Sequence, residues 1–323
     1  INIEAVGTGL NSNNDIWSSS DNSIAEVKKT SNLHATITAK QSGECIISVK
    51  VGDLTATCNI YVRKEKVDID KNNFPDDNFR EYLLSLKEGS DGVLESYELD
   101  HLTDMNVGSK QIKDLKGIEY FTELLELWAG DNSITELNGI STKIEKIGLH
   151  SNDLKVVDLS QCTKLQEFHC GNNPNLSTVN LGSKPNLTQL YLFNDNLSEL
   201  DVSQCPALLQ LHVGNNKISS LNVSECPDLR ELDCNDNNLQ VLNLEVCKAL
   251  LRLGCSNNEI SNLDITHCPA LTELYGYNNQ ISSLELSNCP LLEILDFNDN
   301  NISELDVTKC PNLRMLYVTG SIS

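Results

Sequence analysis

Positive charge is scarce in this 323-residue chain. It has 24 lysines and arginines against 46 aspartates and glutamates, so its formal net charge at pH 7 is −22. A phosphate-binding surface would have to work against that field, and we therefore expect neither nucleic acid nor an anionic membrane as a partner. No apolar run reaches the ~20 residues that a membrane span needs, so we expect no membrane insertion within this chain.

The sequence also lacks the motifs of common enzymes. It contains no G-x-S-x-G, H-E-x-x-H, P-loop or dinucleotide-binding glycine pattern, and its six histidines form no catalytic pattern with cysteine or serine. The twelve cysteines include no C-x-x-C pair, which argues against zinc. We therefore predict a protein that is not an enzyme, with no catalytic residues, no cofactor and no bound metal.

Residues 87–98 have the frame of an EF-hand calcium loop, with Asp91 and Gly92 inside it and Glu98 closing it. The positions of the first two carboxylates hold Lys87 and Gly89 instead. Calcium needs about six to eight oxygen ligands, so we interpret this stretch as a turn that binds no calcium. A weak calcium site is the alternative.

Charge is unevenly distributed along the chain. Residues 1–64 contain six acidic and six basic side chains, so the whole net charge of −22 lies in the remainder. Such a shift predicts a domain boundary near residue 65. The chain starts at Ile1 without a signal-like segment, and we expect that an export signal has been removed or lies outside it.

A repeat of about 21 residues dominates the chain from Leu102 onward. Large aliphatic residues recur at repeat positions 1, 4, 11 and 14, smaller apolar residues at 6 and 16, and asparagine at 9. The units begin at Leu102, Leu124, Ile144, Leu165, Leu187, Leu208, Leu229, Leu250, Leu271, Leu292 and Leu313. This period predicts a solenoid, in which each unit buries its apolar face against its neighbours.

The first residues of each repeat have the alternation of a short strand. Positions 4 and 6 are predicted to point inward and positions 3, 5 and 7 outward, and stacked units then form a parallel sheet. The asparagine at position 9 follows the strand, where turning backbone groups need side-chain partners; Asp195 replaces it in one repeat. The Ser-x-Cys-Pro tail at residues 203–206 predicts that the Ser203 hydroxyl caps a short helical turn.

This pattern, as in residues 229–242, resembles the leucine-rich repeat family, specifically the short bacterial repeats of internalins and related surface proteins. Cysteines at fixed repeat positions resemble those of the cysteine-bearing internalins. The resemblance covers roughly residues 66–323 and implies a curved solenoid with its parallel sheet on the concave face, in ten full units and a partial one over residues 102–323. Since no capping segment follows Leu313, we expect the native protein to continue beyond Ser323.

Residues 65–101, which precede the first unit, resemble the helical N-terminal cap of such arrays. The resemblance implies that this segment shields the apolar end of the solenoid. Its apolar stripe consists of Phe74, Phe79, Tyr82, Leu83 and Leu86.

Residues 1–64 read as short alternating strands separated by Ser, Asn and Gly clusters, with Gly52-Asp53 as a hairpin turn between the last two. The run that begins at Trp17 and the closing hairpin resemble the bacterial immunoglobulin-like domain of surface adhesins. The resemblance implies an all-β sandwich that acts as a spacer. An early strand is missing, so we expect that this domain is truncated at its start.

Most of the cysteines occupy two repeat positions. Position 19 holds Cys162, Cys205, Cys226, Cys247, Cys268, Cys289 and Cys310, and position 6 holds Cys170, Cys234 and Cys255. Adjacent rungs ~4.8 Å apart do not forbid disulfides, but a column of equivalent inward residues has no reason to pair off. We therefore predict ladders of buried, reduced thiols, with Cys162 facing Lys184. For Cys45 and Cys58 a disulfide is possible, although free thiols are favoured.

The outward positions 5 and 7 carry six of the sixteen aromatic residues and three of the six histidines. We predict that the ligand-binding residues are Trp128, His150, His169, Tyr191, Phe193, His212, Tyr275, Tyr277 and Tyr317. Aromatic side chains that the core does not need supply contact area for a partner. The alternative is that they merely suit strands and half-cover the sheet.

The sequence therefore favours a secreted or cell-surface bacterial recognition or adhesion protein, which binds a protein or glycan ligand through the concave repeat face. The alternative is a structural spacer or self-association module that displays other domains. The identity of the ligand does not follow from the sequence.

Overall fold

The computed structural model describes residues 2–4, 15–41, 43–62 and 66–319. The chain divides into two compact units, of which the first comprises residues 1–68 and 93–97 and the second residues 69–92 and 98–323. The predicted boundaries after residues 64 and 101 stay predictions. Residues 63–65 and 320–323, at the predicted linker and at the end of the partial repeat, lie outside the described residues.

The first unit contains short antiparallel sheets. Strands β1 (Asn2–Glu4), β4 (His34–Ala39) and β3 (Ala25–Ser31) form one, and β2 (Ile16–Ser19), β5 (Gly43–Val51) and β6 (Leu54–Val62) form another. A third sheet pairs β7 (Lys66–Asp68) with β8 (Val93–Glu95). The core consists of Ala25, Ile37, Cys45 and Ile47, with partly buried residues such as Trp17 packed against it.

The predicted hairpin in this unit is confirmed. Val51 lies opposite Leu54 across the two-residue turn, and Gly52 has φ +60°, a conformation that glycine adopts without strain. Cys45 and Cys58 lie opposite Ile60 and Ile47 rather than each other, and both are free thiols. The immunoglobulin-like sandwich stays a prediction.

Helix α1 (Asp77–Ser85) packs near the start of the repeats. The Asp76 carboxylate caps it by accepting from the backbone N–H of Phe79 at 2.9 Å, and its other oxygen accepts from that of Lys113 at 2.9 Å. Phe74 is fully buried, with its ring 6.3 Å from that of Phe121. Helix α2 (Ser96–His101) and a 3₁₀ turn (Ile118–Tyr120) are shorter still, and the predicted helical cap stays a prediction. In the described residues, no helix has the length and apolar character to cross a bilayer.

The repeats form a curved solenoid with a parallel sheet of eleven strands, as predicted. Its strands are β9 (Asp104–Asn106), β10 (Glu126–Trp128), β11 (Lys146–Gly148), β13 (Glu167–His169), β15 (Gln189–Tyr191), β16 (Gln210–His212), β17 (Glu231–Asp233), β18 (Arg252–Gly254), β19 (Glu273–Tyr275), β20 (Ile294–Asp296) and β21 (Met315–Tyr317). A smaller parallel sheet pairs β12 (Val156–Asp158) with β14 (Thr178–Asn180).

The predicted division into inward and outward positions is confirmed. Position 4 is fully buried from Leu127 in β10 to Leu295 in β20, with at most 1% exposure. Position 6 is buried as well, by residues such as Val213 and Cys234. Leu316 in β21 is 46% exposed within the described chain, because no further strand pairs with β21 there.

Position 9 is a hydrogen-bonding ladder. Asn258 shows the pattern: its Oδ1 accepts from the backbone N–H of Leu239 at 2.9 Å, and its Nδ2 donates to the carbonyls of Cys234 and Cys255 at 3.0 and 3.1 Å. The same pattern recurs at Asn152, Asn216, Asn237 and Asn279. The ladder therefore satisfies buried backbone groups of two successive repeats with one side chain.

The residue before this asparagine adopts a left-handed conformation in repeat after repeat. Position 8 has φ between +52° and +62° at Ser109, Asp131, Ser151, Asn172, Asn194, Asn215, Asp236, Asn257, Asn278 and Asp299. Short polar side chains tolerate this region better than others. Several also bond along the column, as Asn215 Nδ2 donates to Asn194 Oδ1 at 2.8 Å.

The predicted hydroxyl cap at Ser203 is wrong. The Asp201 carboxylate accepts from the backbone N–H of Ser203 at 2.9 Å, and Asp264 and Asp306 do the same in later repeats. The side-chain hydroxyl and the backbone N–H two residues later both lower the pKa of the aspartate: the hydroxyl has the larger effect at Asp201 and Asp264, and the backbone N–H at Asp306. The turn is closed two residues earlier than predicted because an ionised carboxylate is a stronger acceptor than a hydroxyl.

The cysteines of positions 6 and 19 form buried ladders of free thiols. Burial raises the pKa of Cys247 to about 11 and that of Cys226 to about 12. Lys184 occupies the place between Cys162 and Cys205 and is fully buried. Its Nζ donates to the carbonyls of Leu159, Leu181 and Ser183, and burial lowers its pKa.

Candidate functional site

The predicted binding residues lie on the outer face of the eleven-stranded sheet, formed by positions 3, 5 and 7. Trp128, His169, Tyr191, His212, Tyr275 and Tyr317 end their strands, and His150, Phe193 and Tyr277 follow two residues after a strand end. Only Tyr277 and Tyr317 of this set are exposed, at 36% and 45%; the other seven are half-buried. The side chains thus lie down on the sheet rather than stand out from it.

Four of these rings form one continuous column. The centroid of His169 lies 5.7 Å from that of Trp128 and 4.5 Å from that of Tyr191, and Tyr191 lies 4.7 Å from His212. All three contacts are edge-to-face, the favourable arrangement for aromatic quadrupoles. We call Trp128, His169, Tyr191 and His212 the ring column.

Glycines make room for the large side chains. Trp128 and His169 are two rungs apart, and the tryptophan ring reaches across Gly148: a Cβ there would come within 2.3 Å of Trp128 Cε3. His150 covers Gly130 in the same way: a Cβ on Gly130 would come within 2.3 Å of His150 Cε1. The sequence did not predict this pairing, although the glycines at positions 5 and 7 are its signal.

The remaining predicted residues are not part of the ring column. His150 Nε2 lies 3.7 Å from Asp131 Oδ2, and Phe193 packs over Gly171. Tyr275 and Tyr277 lie farther along the sheet, separated from His212 by the rungs of Asp233 and Gly254. Tyr317 lies in β21.

A cavity of about 240 Å³ opens between His212 and Tyr275. Gly254 has no side chain in the position 5 column, and the Asn235 side chain reaches over it: a Cβ on Gly254 would come within 2.7 Å of Asn235 Nδ2. The lining also includes Leu232, Asp233, Tyr277 and, from position 3, Glu231 and Arg252. Sequence reasoning on aromatic residues missed the charged members of this set. The sequence does indicate this cavity, because position 5 holds Gly254 between Asp233 and Tyr275 of the neighbouring repeats.

The polar groups of the cavity are held by neighbours. Asp233 Oδ1 accepts from the backbone N–H and the Nδ2 of Asn235, at 3.1 and 2.7 Å. The Arg252 guanidinium lies 5.5 Å from the centre of the Tyr275 ring, and its Nε is 3.6 Å from Glu273 Oε2. Burial and the neighbouring Glu273 raise the pKa of Tyr275, so its hydroxyl stays protonated.

The ring column is uncharged at its most buried point. Desolvation lowers the pKa of His169, whose Nε2 is buried without a hydrogen-bond partner in the described chain, so that the imidazole is neutral at neutral pH. Burial also raises the pKa of Tyr191. Across the described residues, no three His, Cys, Asp or Glu side chains converge as metal ligands.

Comparisons with solved structures identify the fold of the repeats. The chain is similar to a leucine-rich repeat protein of Leptospira interrogans, with 20% identity, 70% of this chain and 74% of that chain covered, and a TM-score of 0.51. It is also similar to a chain of the octameric complex of Latrophilin 3, Unc5D and FLRT2 (LRR), with 20% identity, 66% and 74% coverage, and a TM-score of 0.54. These two likenesses show the leucine-rich repeat fold.

A third structure is the functional domain of InlJ from Listeria monocytogenes, which includes a cysteine ladder. It is 24% identical to this chain over 80% of this chain and 72% of that one, with a TM-score of 0.49. No protein-family model matches the sequence, and no curated protein matches it.

Proposed function

We propose that this protein is a secreted or cell-surface bacterial recognition module, which binds a partner protein through the outer, concave face of its repeat sheet. In this proposal residues 1–64 are an immunoglobulin-like spacer and residues 65–101 cap the solenoid. The proposal is supported by the leucine-rich repeat fold and by a structural neighbour that is part of a multi-protein complex.

The ring column is the observation that carries the proposal. The hydrophobic core of the repeats is already complete beneath it, because positions 4 and 6 are buried. Trp128, Tyr191 and the two histidines are therefore additional surface, pre-packed edge to face and half-exposed. A rigid aromatic surface loses little entropy on binding and is typical of interface hot spots.

The positions of the titratable groups support a binding function rather than a catalytic one. The groups with the largest pKa shifts, the ladder cysteines and Asp195, lie in the interior of the repeats and not in the cavity on the sheet. A net charge of −22 supports a protein partner with a basic surface rather than nucleic acid or an anionic membrane.

The test is the double variant Tyr191→Ala, Phe193→Ala in affinity capture from bacterial and host surface extracts. The captured partner should bind the variant more weakly by ~2 kcal/mol or more. Removing Tyr191 also removes its ring contacts with His169 and His212, so we expect a loss of stability of ~1 kcal/mol, while the far-ultraviolet circular dichroism stays that of the parent.

Val241→Ala provides the control, since this side chain is 71% exposed and lies outside the sheet face. It should leave capture unchanged. Equal capture by the double variant and the parent would place the recognition surface elsewhere. A spacer or self-association module, the alternative, would capture no partner, and its own association would be visible as a concentration-dependent mass in light scattering.

A further inference from the structure

The cavity between His212 and Tyr275 has charges of both signs. Glu231 and Asp233 contribute carboxylates, and Arg252 contributes a guanidinium, around Gly254 and the Asn235 side chain that reaches over it. In the described part of the chain, Asp233 Oδ2 and the two terminal nitrogens of Arg252 have no hydrogen-bond partner. Acceptors and donors are therefore both available to a ligand.

The mixed signs exclude a simple ion as the natural occupant. A cation would be placed beside the Arg252 guanidinium, and an anion beside the carboxylates of Glu231 and Asp233. An apolar group would strip water from these charges without replacing its hydrogen bonds. A neutral ligand rich in hydroxyl groups meets the requirement, because each hydroxyl both donates and accepts.

The aromatic wall adds a second constraint. Arg252 lies over the ring of Tyr275, whereas Tyr277 is 36% exposed, with its hydroxyl held by Asn257 Nδ2 at 3.4 Å. An exposed aromatic face attracts C–H groups, whose hydrogens complement the negative face of the ring. A ring with hydroxyls at its edge and C–H groups on one face fits both features.

The volume limits the size of this ligand. Small-molecule pockets usually span roughly 300–1,000 Å³, and the present cavity has about 240 Å³. It accommodates one ring rather than a chain of them. The neighbouring ring column is then free to contact the rest of a larger partner.

We propose that this cavity binds one neutral pyranose unit of a glycan carried by the partner protein. The inference rests on the proposed recognition function, because it names the chemical group of the partner that binds to the same sheet face. Asp233, Asn235 and Arg252 bond the hydroxyls, and Tyr277 packs against the C–H face.

Saturation-transfer NMR with methyl glycosides of glucose, galactose, mannose, N-acetylglucosamine and N-acetylgalactosamine tests the inference on the whole chain. We expect at least one glycoside to bind and its dissociation constant to rise at least tenfold in Asp233→Asn and in Tyr277→Ala. Asp233→Asn keeps the acceptor for the backbone N–H of Asn235. Asp296→Asn is the matched control, because Asp296 accepts from the backbone N–H of Asn298 at 3.2 Å in the same way, outside the cavity.

Several outcomes would overturn the inference while leaving the recognition function in place. One is binding of none of the five glycosides together with normal capture of the partner. Another is unchanged capture after enzymatic removal of glycans from the extracts. Binding of N-acetyl-lysine amide or of a short peptide in place of the glycosides would likewise assign the cavity to protein side chains. If the Tyr191 and Phe193 double variant keeps full capture while the glycoside binds at Asp233, the sugar site in the cavity is supported. The role of the ring column in recognition is then contradicted.

Discussion

The backbone N–H of Asn173 donates to Asp195 Oδ1 at 2.7 Å, while Asp195 Oδ2 is buried and has no hydrogen-bond partner among the described residues. In the next repeat, Asn216 uses its Nδ2 to donate to the carbonyls of Leu192 and Val213, at 2.6 and 3.1 Å. A carboxylate has no proton to give to such acceptors. Burial accordingly raises the pKa of Asp195 to about 7.

Asp195→Asn should therefore stabilise the protein most at neutral and alkaline pH. In the parent, the folded carboxyl keeps its proton up to about pH 7, whereas the unfolded one loses it near pH ~4. The folded state binds more protons in that window, so the parent loses stability as pH rises from about 4 to about 7 and then levels off. Guanidinium unfolding at about pH 5 and about pH 8 should show this loss in the parent and a smaller one in the variant.

Asp236→Asn is the control for that experiment, since Asp236 is exposed at position 8 and accepts from Asn257. It should leave the pH dependence as in the parent. Equal pH slopes in the parent and in Asp195→Asn would mean that Asp195 is already ionised in the folded protein at acidic pH.

Asn258→Ala should destabilise the protein by about 1–3 kcal/mol, because the backbone N–H of Leu239 and two carbonyls would be left buried without partners. Asn238→Ala is the matched control: Asn238 is exposed and its hydrogen bond to Ile218 uses the backbone. Denaturant midpoints of the two variants would separate the contributions. Equal midpoints would contradict the role of position 9.

Thiol titration should count at least ten free cysteines in the denatured, unreduced protein. In the folded protein the same reagent should react slowly, because burial raises the pKa of thiols such as Cys205 and Cys289 to about 11 and only the thiolate reacts. Cys58 is exposed and should react first. A count near zero in the denatured protein would show that the ladders are disulfides.

Cys247→Ser should lower stability by roughly 1–3 kcal/mol, since it would place a hydroxyl in an apolar column with no assured partner. Cys247 is fully buried, whereas the control position, Cys58, is exposed, and Cys58→Ser should be neutral. Thermal unfolding followed by circular dichroism provides the comparison. An unchanged melting temperature for Cys247→Ser would contradict the ladder.

Gly148→Ala should push the Trp128 ring off the sheet, because the new methyl carbon would lie 2.3 Å from Trp128 Cε3. In a Trp17→Phe background, Trp128 is the sole tryptophan, and its emission should shift to the red as the ring enters water. We expect a stability loss of about 1–3 kcal/mol from the overpacked contact. Gly108→Ala, where the nearest atom would be 3.4 Å away, should change neither property.

The periodic part of the fold followed directly from the sequence. Leu232 and Cys234 alternate with outward residues in a strand, and their repetition every 21 residues leaves stacked parallel rungs as the way to bury them. The role of Asn237 was likewise predictable, because a turn after a strand leaves backbone groups to satisfy.

Contacts that depend on the size and conformation of particular side chains in adjacent repeats were not predictable. The reach of Trp128 over Gly148 and the burial of the Lys184 ammonium among three carbonyls depend on side-chain conformation, which no period encodes. The cavity above Gly254 was missed for the same reason, since a single missing side chain matters only in relation to Asp233 and Tyr275 beside it.

Because the strands pair in register, the solenoid can gain or lose length in whole repeats. Leu211 pairs with Leu232 and Leu232 with Leu253, each at the same place in its strand. Deletion of residues 229–249 would pair β16 with β18 and place Leu211 opposite Leu253. Each buried repeat position would then still pack against the equivalent position of its neighbour. Recombination between neighbouring repeats would therefore change the side chains of the outer face, here by removing Asp233 from the cavity. The packing of the buried positions beneath that face would be kept.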